Sequence, residues 1–425
     1  MTQNRQSAPE IFPIAGLPDF NIEKQLLDNQ IPIKYIDAGS QELTKLQIVF
    51  PAGISYQEKS LQAYFTGKML KEGSQNYSAS QLAETIDFYG AFLDVKVTRD
   101  HSIIHLISLN KHLDKILALI VDFLTQPLFL KRELSVIKDL EKQKFLHRLQ
   151  KVKNQAQRAF TQEIFGNNHP YGKHAAVEDF DQISQEHLQS FFRKFYQISN
   201  AKIYLGGMVS SKILNTLNLH FGNIKSFKCP LVPMDMSVNQ SPQKDILIEK
   251  KVALQTAIRM GKLCMDRKAE DFPAFALTQT ILGGFFGSRL MQNIREDKGY
   301  TYGIHSNVQH LKHASVFSIA SEVGSDLSLL AMDEIDHELK NLRVGLVPDN
   351  ELSLVKNYMS GSLLRSLNGP FSLGEMIKML DEYDLEDNYY RNFLIAIQVT
   401  SSEKIRNIAQ KYLHEDSMTR VRVGK

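Results

Sequence analysis

A proline-containing segment near the middle of the chain separates two stretches in which strands and helices follow the same order. Residues 225–244 contain three prolines and little periodicity, which is typical of a linker. On each side of it, a strand leads into a helix and then into alternating segments that indicate further strands. Because 425 residues are too many for one ordinary domain, the pattern predicts two copies of one α+β unit.

Hydrophobic periodicity and turn signals give the position of each element. The elements predicted in the first half are strands at 47–53, 91–98, 101–108 and 201–205 and helices at 60–71, 80–89, 113–124, 131–165 and 185–196. In the second half they are strands at 254–260 and near Tyr302 and Val316, and a helix at 269–282 followed by a glycine turn and a short helix. We therefore predict an α+β protein of two homologous domains, each an antiparallel-rich sheet packed with helices.

The composition shift places the domain boundaries at the proline-containing segment. We predict an N-terminal domain at residues 1–228, a linker at 229–245 and a C-terminal domain at 246–425. The first 20 residues have no apolar run of signal-peptide length, and no segment approaches the length of a membrane span. We expect a cytoplasmic protein without a membrane span, or a periplasmic one if the given start is not the native start.

Charge and cysteine content exclude several classes of function. The net charge is only +3, and the densest basic cluster, 142–153, lies in a helical segment where a solvated face explains it. We therefore expect no nucleic-acid partner. Only Cys229 and Cys264 are present, so neither a disulfide framework nor a cysteine-rich metal site can be built.

Residues 282–306 carry the most informative motif, LGGFFGSRLMQNIREDKGYTYGIHS. This stretch closely resembles the C-domain signature of the insulinase and mitochondrial-processing-peptidase family of zinc metallopeptidases. The resemblance extends more weakly to His169-Pro-Tyr-Gly172 and to residues 189–207. It implies that Arg295 and Tyr302 grip the substrate backbone, since a guanidinium fork and a phenol can both donate hydrogen bonds to peptide carbonyls.

A purely structural interpretation of this pair is also open. In it, Arg295 forms a surface ion pair with Glu296 or Asp297, and Tyr302 fills the core. The length of the matching stretch favours the functional interpretation.

The zinc motif that the resemblance leads one to expect is degenerate. Active members carry an inverted motif, His-x-x-Glu-His, in the N-terminal half and a distal glutamate as third zinc ligand. The two histidine positions correspond to Tyr64 and Lys68 and the general-base position to Gly67, while Leu140 falls at the third ligand. All of these groups are therefore predicted to be lost, and the Lys68 ammonium is a candidate electrostatic replacement for the metal.

Other possible metal or phosphate sites are weaker. His101 and His105 lie on a predicted strand, where four residues span roughly 13 Å, too far for one metal ion. His305, His310 and His313 have no carboxylate or cysteine at ligand spacing. The glycines at 283–287 lack the lysine and hydroxyl residue of a phosphate-binding loop. Residues 93–95 occupy the place of the family's substrate-pairing edge strand, and whether that pairing survives stays open.

The resemblance implies a non-catalytic, substrate-binding subunit of a heterodimeric zinc metallopeptidase. Such a chain holds no cofactor of its own, and zinc belongs to a homologous catalytic subunit. Together the two subunits enclose a chamber for peptides, into which this chain contributes Arg295 and Tyr302. The alternatives are a structural subunit, comparable to the core proteins of the cytochrome bc1 complex, and a peptide-binding clamp without proteolysis.

Overall fold

The computed structural model describes residues 16–18, 20–224, 235–238 and 245–425. The strands are β1 (Glu23–Leu26), β2 (Pro32–Asp37), β3 (Leu43–Phe50), β4 (Phe92–Val97), β5 (Ser102–Leu109), β6 (Lys202–Gly207), β7 (Asp245–Glu249), β8 (Gln255–Cys264), β9 (Thr301–His310), β10 (Ser315–Gly324) and β11 (Thr419–Gly424). The helices are α1 (Gln62–Met69), α2 (Ala79–Phe88), α3 (Leu113–Thr125), α4 (Lys131–Gln150), α5 (Val152–Phe165), α6 (Asp179–Gln182), α7 (Gln185–Phe195), α8 (Ser211–Phe221), α9 (Phe272–Gln279), α10 (Ser328–Val344), α11 (Asp349–Ser366), α12 (Pro370–Glu382), α13 (Tyr389–Val399) and α14 (Ser402–Tyr412).

The predicted linker lies mostly outside the described residues. Cys229 is among the residues that are not described, and Asp245, the last residue of the predicted linker, is the first residue of β7. None of the helices in the described ranges is long and apolar enough to cross a membrane. The domain boundaries stay a prediction.

The described strands form two sheets that repeat one topology. Their strand orders are β1-β2-β6-β3-β5-β4 and β7-β11-β8-β10-β9. In each sheet, a parallel pair, β2 with β6 or β7 with β11, is followed by three antiparallel pairings. The order from β7 to β9 therefore repeats the order from β2 to β4. This confirms the predicted α+β fold with two homologous halves.

Each half lends one helix to the sheet of the other half. Helix α5 packs on β8 and β11, where Phe160 and Ile164 are buried with Val421 and Val423. Helix α12 packs on β2 and β6 in return, and its close approach requires Gly206. A Cβ at that position would lie 2.1 Å from the carbonyl oxygen of Pro370. Because each sheet depends on a helix from the other half, the two halves share their hydrophobic cores.

A charged cluster fixes α12 to the first sheet. The half-buried carboxylate of Asp381 on α12 accepts hydrogen bonds from Lys34, from Lys202 at 2.6 Å and from Tyr204 at 2.5 Å. Burial alone would raise the pKa of this carboxyl, but the three donors lower it to about 2. Asp381 is therefore an ionised contact between the two halves of the chain.

The helix predicted at 131–165 is two helices, so that prediction is wrong at one point. The chain leaves the helical conformation at Lys151, whose ψ is 125°. No glycine or proline marks this break. The side chains of Asn154 and Gln155 instead donate to the carbonyls of Arg148 and Leu149, which satisfies two of the acceptors at the end of α4. The break turns α5 towards the second sheet.

Candidate functional site

Helix α1 carries the degenerate zinc motif and is fixed at its start by a buried glutamine. The Gln62 amide oxygen accepts from the backbone N–H groups of Glu58 and Lys59, and its nitrogen donates to the carbonyl of His187 at 2.8 Å. Residues four apart on a helix share a face, so Tyr64 and Lys68 point the same way. Helix α1 packs against both β4 and α4.

The residue of α4 that faces Tyr64 is Glu141. Glu141 is 5% exposed, whereas Leu140 is 54% exposed and points away from α1. The assignment of Leu140 to the third ligand position is therefore wrong by one residue. The apolar face of α4 runs through Leu134 and Phe145, seven residues before and four residues after Glu141, and this spacing is the signal that could have identified it.

A phenol and two ammonium groups surround the Glu141 carboxylate. Tyr64 Oη donates to Glu141 Oε2 at 2.7 Å, and Lys144 Nζ donates to Oε1 at 2.9 Å. Lys68 Nζ is more distant, 3.9 Å from Oε1 and 5.7 Å from the centre of the Tyr64 ring. Burial opposes ionisation of Glu141, but these donors prevail and hold its pKa below the usual range. Burial and the Glu141 contact raise the pKa of Tyr64, so its phenol stays protonated.

Position 67, which corresponds to the general base, has neither a carboxylate nor room for one. Gly67 is buried against the end of β4, and a Cβ at this residue would lie 2.4 Å from Val97 Cγ2. A glutamate at position 67 therefore requires the Val97 side chain to move. Position 67 is therefore closely packed, whereas the Tyr64 side chain is partly buried and the Lys68 side chain is exposed.

The side chains at these positions do not fit a zinc ion. Of three ligands, only the Glu141 carboxylate is present, and its oxygens already accept hydrogen bonds from Tyr64 and Lys144. The two histidine positions carry Tyr64, whose phenol stays protonated, and a lysine, and neither replaces an imidazole as a zinc ligand. No group of three His, Cys, Asp or Glu side chains within the described ranges could hold a metal ion.

Three of the five histidines that were weighed as ligands have other contacts in the structure. His101 Nδ1 lies 3.3 Å from Glu382 on α12, and His105 Nδ1 lies 3.1 Å from the Gln47 amide nitrogen. His310 Nδ1 bonds to Ser315 Oγ at 2.8 Å. Burial lowers the pKa of His310 to about 3, with the nearby Arg267 charge adding to the effect, so its ring is neutral.

Strand β4 lies at the edge of the first sheet, beside α1. It pairs with β5, and no other strand in the described part of the chain pairs with it. Leu93 and Val95 point into the core, while Asp94 points outward, 3.4 Å from the ammonium of Lys71. Lys71 also donates to the carbonyl of Leu93 at 3.2 Å. Pairing of a peptide with this edge stays a prediction.

The glycine-rich turn of the second half serves close packing. A Cβ on Gly283 would lie 2.7 Å from the backbone nitrogen of Ser306, on β9. Gln279 reinforces the contact by donating to Ser306 O at 2.6 Å. The first two glycines of the turn end a π-helical segment, Thr280–Gly284, and a second such segment, Met291–Asp297, follows. Helical segments of this kind are rare and are frequent at functional sites.

Polar contacts hold the second π-helical segment against α10 and α11. Just before it, Arg289 forms a two-pronged ion pair with Glu351, both bonds being 2.8 Å long. Within it, Asn293 donates to Glu338 at 2.7 Å and to Glu334 at 3.0 Å. These contacts leave the next turn free to present Arg295.

Arg295 and Tyr302 are displayed at the surface. Tyr302 is 91% exposed, near the start of β9, and its hydroxyl has no hydrogen-bond partner among the described residues. The Arg295 guanidinium lies 4.5 Å from the ring centre of the exposed Phe286, and its ion pair with Glu296 is loose, at 3.5 Å. Tyr302 therefore does not fill the core, contrary to the structural interpretation. Arg295 does form the surface ion pair with Glu296 that the same interpretation expected.

Family comparisons agree with the repeated fold. A family model described as "Insulinase (Peptidase family M16)" matches residues 35–175, and one described as "Peptidase M16 inactive domain" matches residues 182–359. The chain belongs to the insulinase family of peptidases. Within this family it lacks the zinc motif, as the side chains at Tyr64, Gly67 and Lys68 show.

Several insulinase-like proteins are similar over most of the chain. The uncharacterized zinc protease YmxG of Bacillus subtilis is 21% identical over 365 residues, covering 83% of this chain and 86% of YmxG. A peptidase M16 inactive domain from Pseudomonas fluorescens has a TM-score of 0.84 at 23% identity and covers 95% of this chain and 98% of its own. A protease from Helicobacter pylori also has a TM-score of 0.84, at 16% identity, covering 96% and 100%. These likenesses support the insulinase-type fold.

Proposed function

We propose that this chain is the non-catalytic, substrate-binding subunit of a heterodimeric zinc metallopeptidase. Zinc and the general base belong to a homologous partner, which supplies the bond-breaking chemistry. This chain supplies Arg295 and Tyr302 to the partner's active site and helps to enclose a chamber for peptides. It binds no cofactor itself.

The observation that carries the proposal is the display of Tyr302. An aromatic side chain that is 91% exposed contributes little to the stability of the fold. Tyr302 also lies near the start of β9, the edge strand of the second sheet, ahead of Ile304 and Ser306, whose backbone groups already contact Met291 and Gln279. We place an extended substrate peptide beside this start of the strand. Its phenol is positioned to donate a hydrogen bond to a carbonyl on that peptide.

Arg295 supports the same interpretation through its geometry. Stacking on Phe286 holds the guanidinium plane at the surface, so less side-chain freedom is lost when the guanidinium donates to a carbonyl. Donors held in place in this way can also stabilise the oxygen that gains charge when a peptide carbonyl is attacked. The loose contact with Glu296 is exposed and costs little to break.

The test is to co-express the chain with its nearest zinc-motif homologue from the same genome and to measure cleavage of a quenched peptide. We expect activity in the mixture and none with this chain alone. Arg295→Ala and Tyr302→Phe should each lower kcat/KM by about tenfold or more, the loss expected for one transition-state hydrogen bond. Size-exclusion chromatography should show that both variants still form the complex.

Arg365→Ala is the matched control. Arg365 is an exposed arginine near the end of α11, roughly 21 Å along the helix from Glu351. The Arg365→Ala variant should leave the rate of peptide cleavage unchanged. Full activity of the Arg295→Ala and Tyr302→Phe complexes would overturn the substrate-binding role and favour a structural subunit. Peptide binding without any cleavage by the complex would favour a non-proteolytic clamp.

A further inference from the structure

A cavity of about 400 Å³ lies beside the degenerate zinc motif. Tyr64 and Glu141 form part of one wall, and the turn that ends at Leu61 forms another. The remaining walls come from Arg99, after β4, from the end of α4 and the start of α5, and from the loop at residues 173–175. The cavity therefore collects side chains from several separate parts of the first half.

The charge lining this cavity is strongly unbalanced. Four permanent cations line it: Arg99, Arg148, Arg158 and Lys173. The one carboxylate in the lining, Glu141, is already bonded to Tyr64 and Lys144. None of the four cations forms a close ion pair with another described residue, although the neighbouring Asp100 carboxylate opposes the effect of burial on the pKa of Arg99. The cavity thus holds positive charge that the chain itself does not neutralise.

Two of these arginines are half-buried and fixed by backbone carbonyls. Arg158 donates to the carbonyl of Ala175 at 2.8 Å and lies 5.6 Å from the ring centre of Phe145. Arg99 donates to the carbonyl of Pro170 at 3.4 Å. Burial lowers the pKa of both guanidinium groups without neutralising them, and burial together with their charge lowers the pKa of His174 to about 4. Withdrawing a cation from water without a counter-ion is costly, and a bound anion would offset that cost.

Arg148 alone has a simpler explanation, since a cation in the last turn of a helix interacts favourably with the helix dipole. That explanation does not extend to Arg99 or Arg158. Neither lies in the last turn of a helix, yet both line the same cavity. The convergence of cations from separate elements is what distinguishes this cavity from a solvated basic face.

The apolar part of the lining indicates an organic ligand. Leu61, Tyr64, Phe145, Leu149 and Phe180 supply hydrocarbon surface between the charges. A small inorganic ion would leave that surface in water, whereas a side chain with methylene groups and a terminal carboxylate covers both kinds of wall. The edge strand β4 ends at Val97, two residues before Arg99, so a peptide extended along this edge reaches the cavity.

We propose that this cavity is a subsite that binds the carboxylate of an acidic side chain in a peptide. The identification of the ligand as a peptide rests on the proposed function. The charge complementarity depends only on the cavity. The chain is then a selector for acidic peptides, and not only a supplier of Arg295 and Tyr302.

The test measures binding to the isolated chain by fluorescence anisotropy. The probe is a short labelled peptide containing glutamates, and its twin carries glutamines at the same positions. We expect the glutamate peptide to bind at least about tenfold more tightly, which corresponds to about 1.4 kcal/mol. The preference should weaken with added salt, because it arises from charge.

Arg148→Gln and Arg158→Gln should each reduce the preference for the glutamate peptide. Arg148 is exposed and its replacement leaves the fold intact, so a failure of Arg158→Gln to fold does not obscure the result. Arg365→Gln removes an exposed arginine outside the cavity and should retain the full preference. Equal binding of the two peptides, or no binding of the glutamate peptide at about 1 mM, overturns the proposal.

Three further outcomes distinguish this proposal from a general anion site and from the proposed function. Displacement of the glutamate peptide by inorganic phosphate at matched concentration overturns the peptide assignment, because the site is then a general anion site. If the chain distinguishes the two peptides but supports no cleavage by any partner, the subsite is supported and the proposed function is overturned. If cleavage depends on Arg295 but shows no preference for acidic peptides, the proposed function is supported and the subsite is overturned.

Discussion

Tyr64 Oη donates a 2.7 Å hydrogen bond to Glu141 Oε2, joining a former histidine position on α1 to the buried face of α4. Glu141 is thus the carboxylate of α4 that faces the position where the family resemblance predicts a metal-binding histidine. In place of a metal, a phenol and a lysine ammonium now hold the carboxylate. The former metal site thereby becomes a polar link between two helices.

Tyr64→Phe should lower the free energy of unfolding by about 1–3 kcal/mol, because the nearly buried carboxylate loses one of its two close donors. Urea denaturation at neutral pH measures the loss. Tyr358→Phe is the control, since its hydroxyl has no partner among the described residues, and should change stability little. Equal stability of Tyr64→Phe and the wild type would contradict the role assigned to this contact.

The effect of Tyr64→Phe should also depend on pH. The folded pKa of Glu141 is depressed, so its stabilising contribution is complete above the unfolded carboxyl pKa of about 4.3. The contribution disappears as the pH falls through the lower folded pKa. We therefore expect the stability difference between variant and wild type to be constant near neutrality and to shrink in acid. A constant difference down to the acid-unfolding limit would exclude Glu141 as its source.

Tyr64→His combined with Lys68→His should create a zinc site that uses Glu141 as its third ligand. The two histidines would share one face of α1, opposite the carboxylate. Equilibrium dialysis with metal analysis should give about one zinc per chain, as expected for a three-ligand site. Adding Glu141→Gln should abolish binding, whereas adding Leu140→Ala should not. Loss of zinc binding with Leu140→Ala but not with Glu141→Gln would instead assign Leu140 to the third ligand position.

Tyr302→Ala and Arg289→Ala should differ sharply in their effect on stability. Tyr302 is exposed, so its removal should change the free energy of unfolding by less than about 0.5 kcal/mol. Arg289 makes two hydrogen bonds with the half-buried Glu351, and its removal should cost about 1–3 kcal/mol. Thermal denaturation followed by circular dichroism compares the two. A large loss for Tyr302→Ala would make that residue structural.

Asp381→Asn should weaken the contact between α12 and the first sheet. The folded pKa of Asp381 is about 2, so its contribution is full above the unfolded pKa of about 3.9 and is lost as the pH falls towards 2. The variant should be less stable than the wild type at neutral pH and approach it in acid. Asp384→Asn, at an exposed carboxylate paired with Lys268, should have little effect. Matching losses for the two variants would argue against the interdomain role.

The sequence alone determined the fold class, the duplication and the loss of the zinc motif. These conclusions rest on signals that are local in the chain: the periodicity of each element, and the residue types at 64, 67 and 68. A glycine, a tyrosine and a lysine cannot supply the two imidazoles and the carboxylate of this motif in any tertiary arrangement. The motif at 282–306 is likewise continuous, so it could be identified without a structure.

Only the tertiary structure decided between Leu140 and Glu141. Adjacent residues on a helix point about 100° apart, and which one is buried depends on how the helix packs against its neighbours. The sequence also could not predict that α5 and α12 each pack on the sheet of the other half. A helical pattern shows that one face of a helix is buried, but it does not show which sheet covers that face. The cationic cavity has the same origin, since Arg99, Arg148 and Arg158 come together only when distant segments fold onto one another.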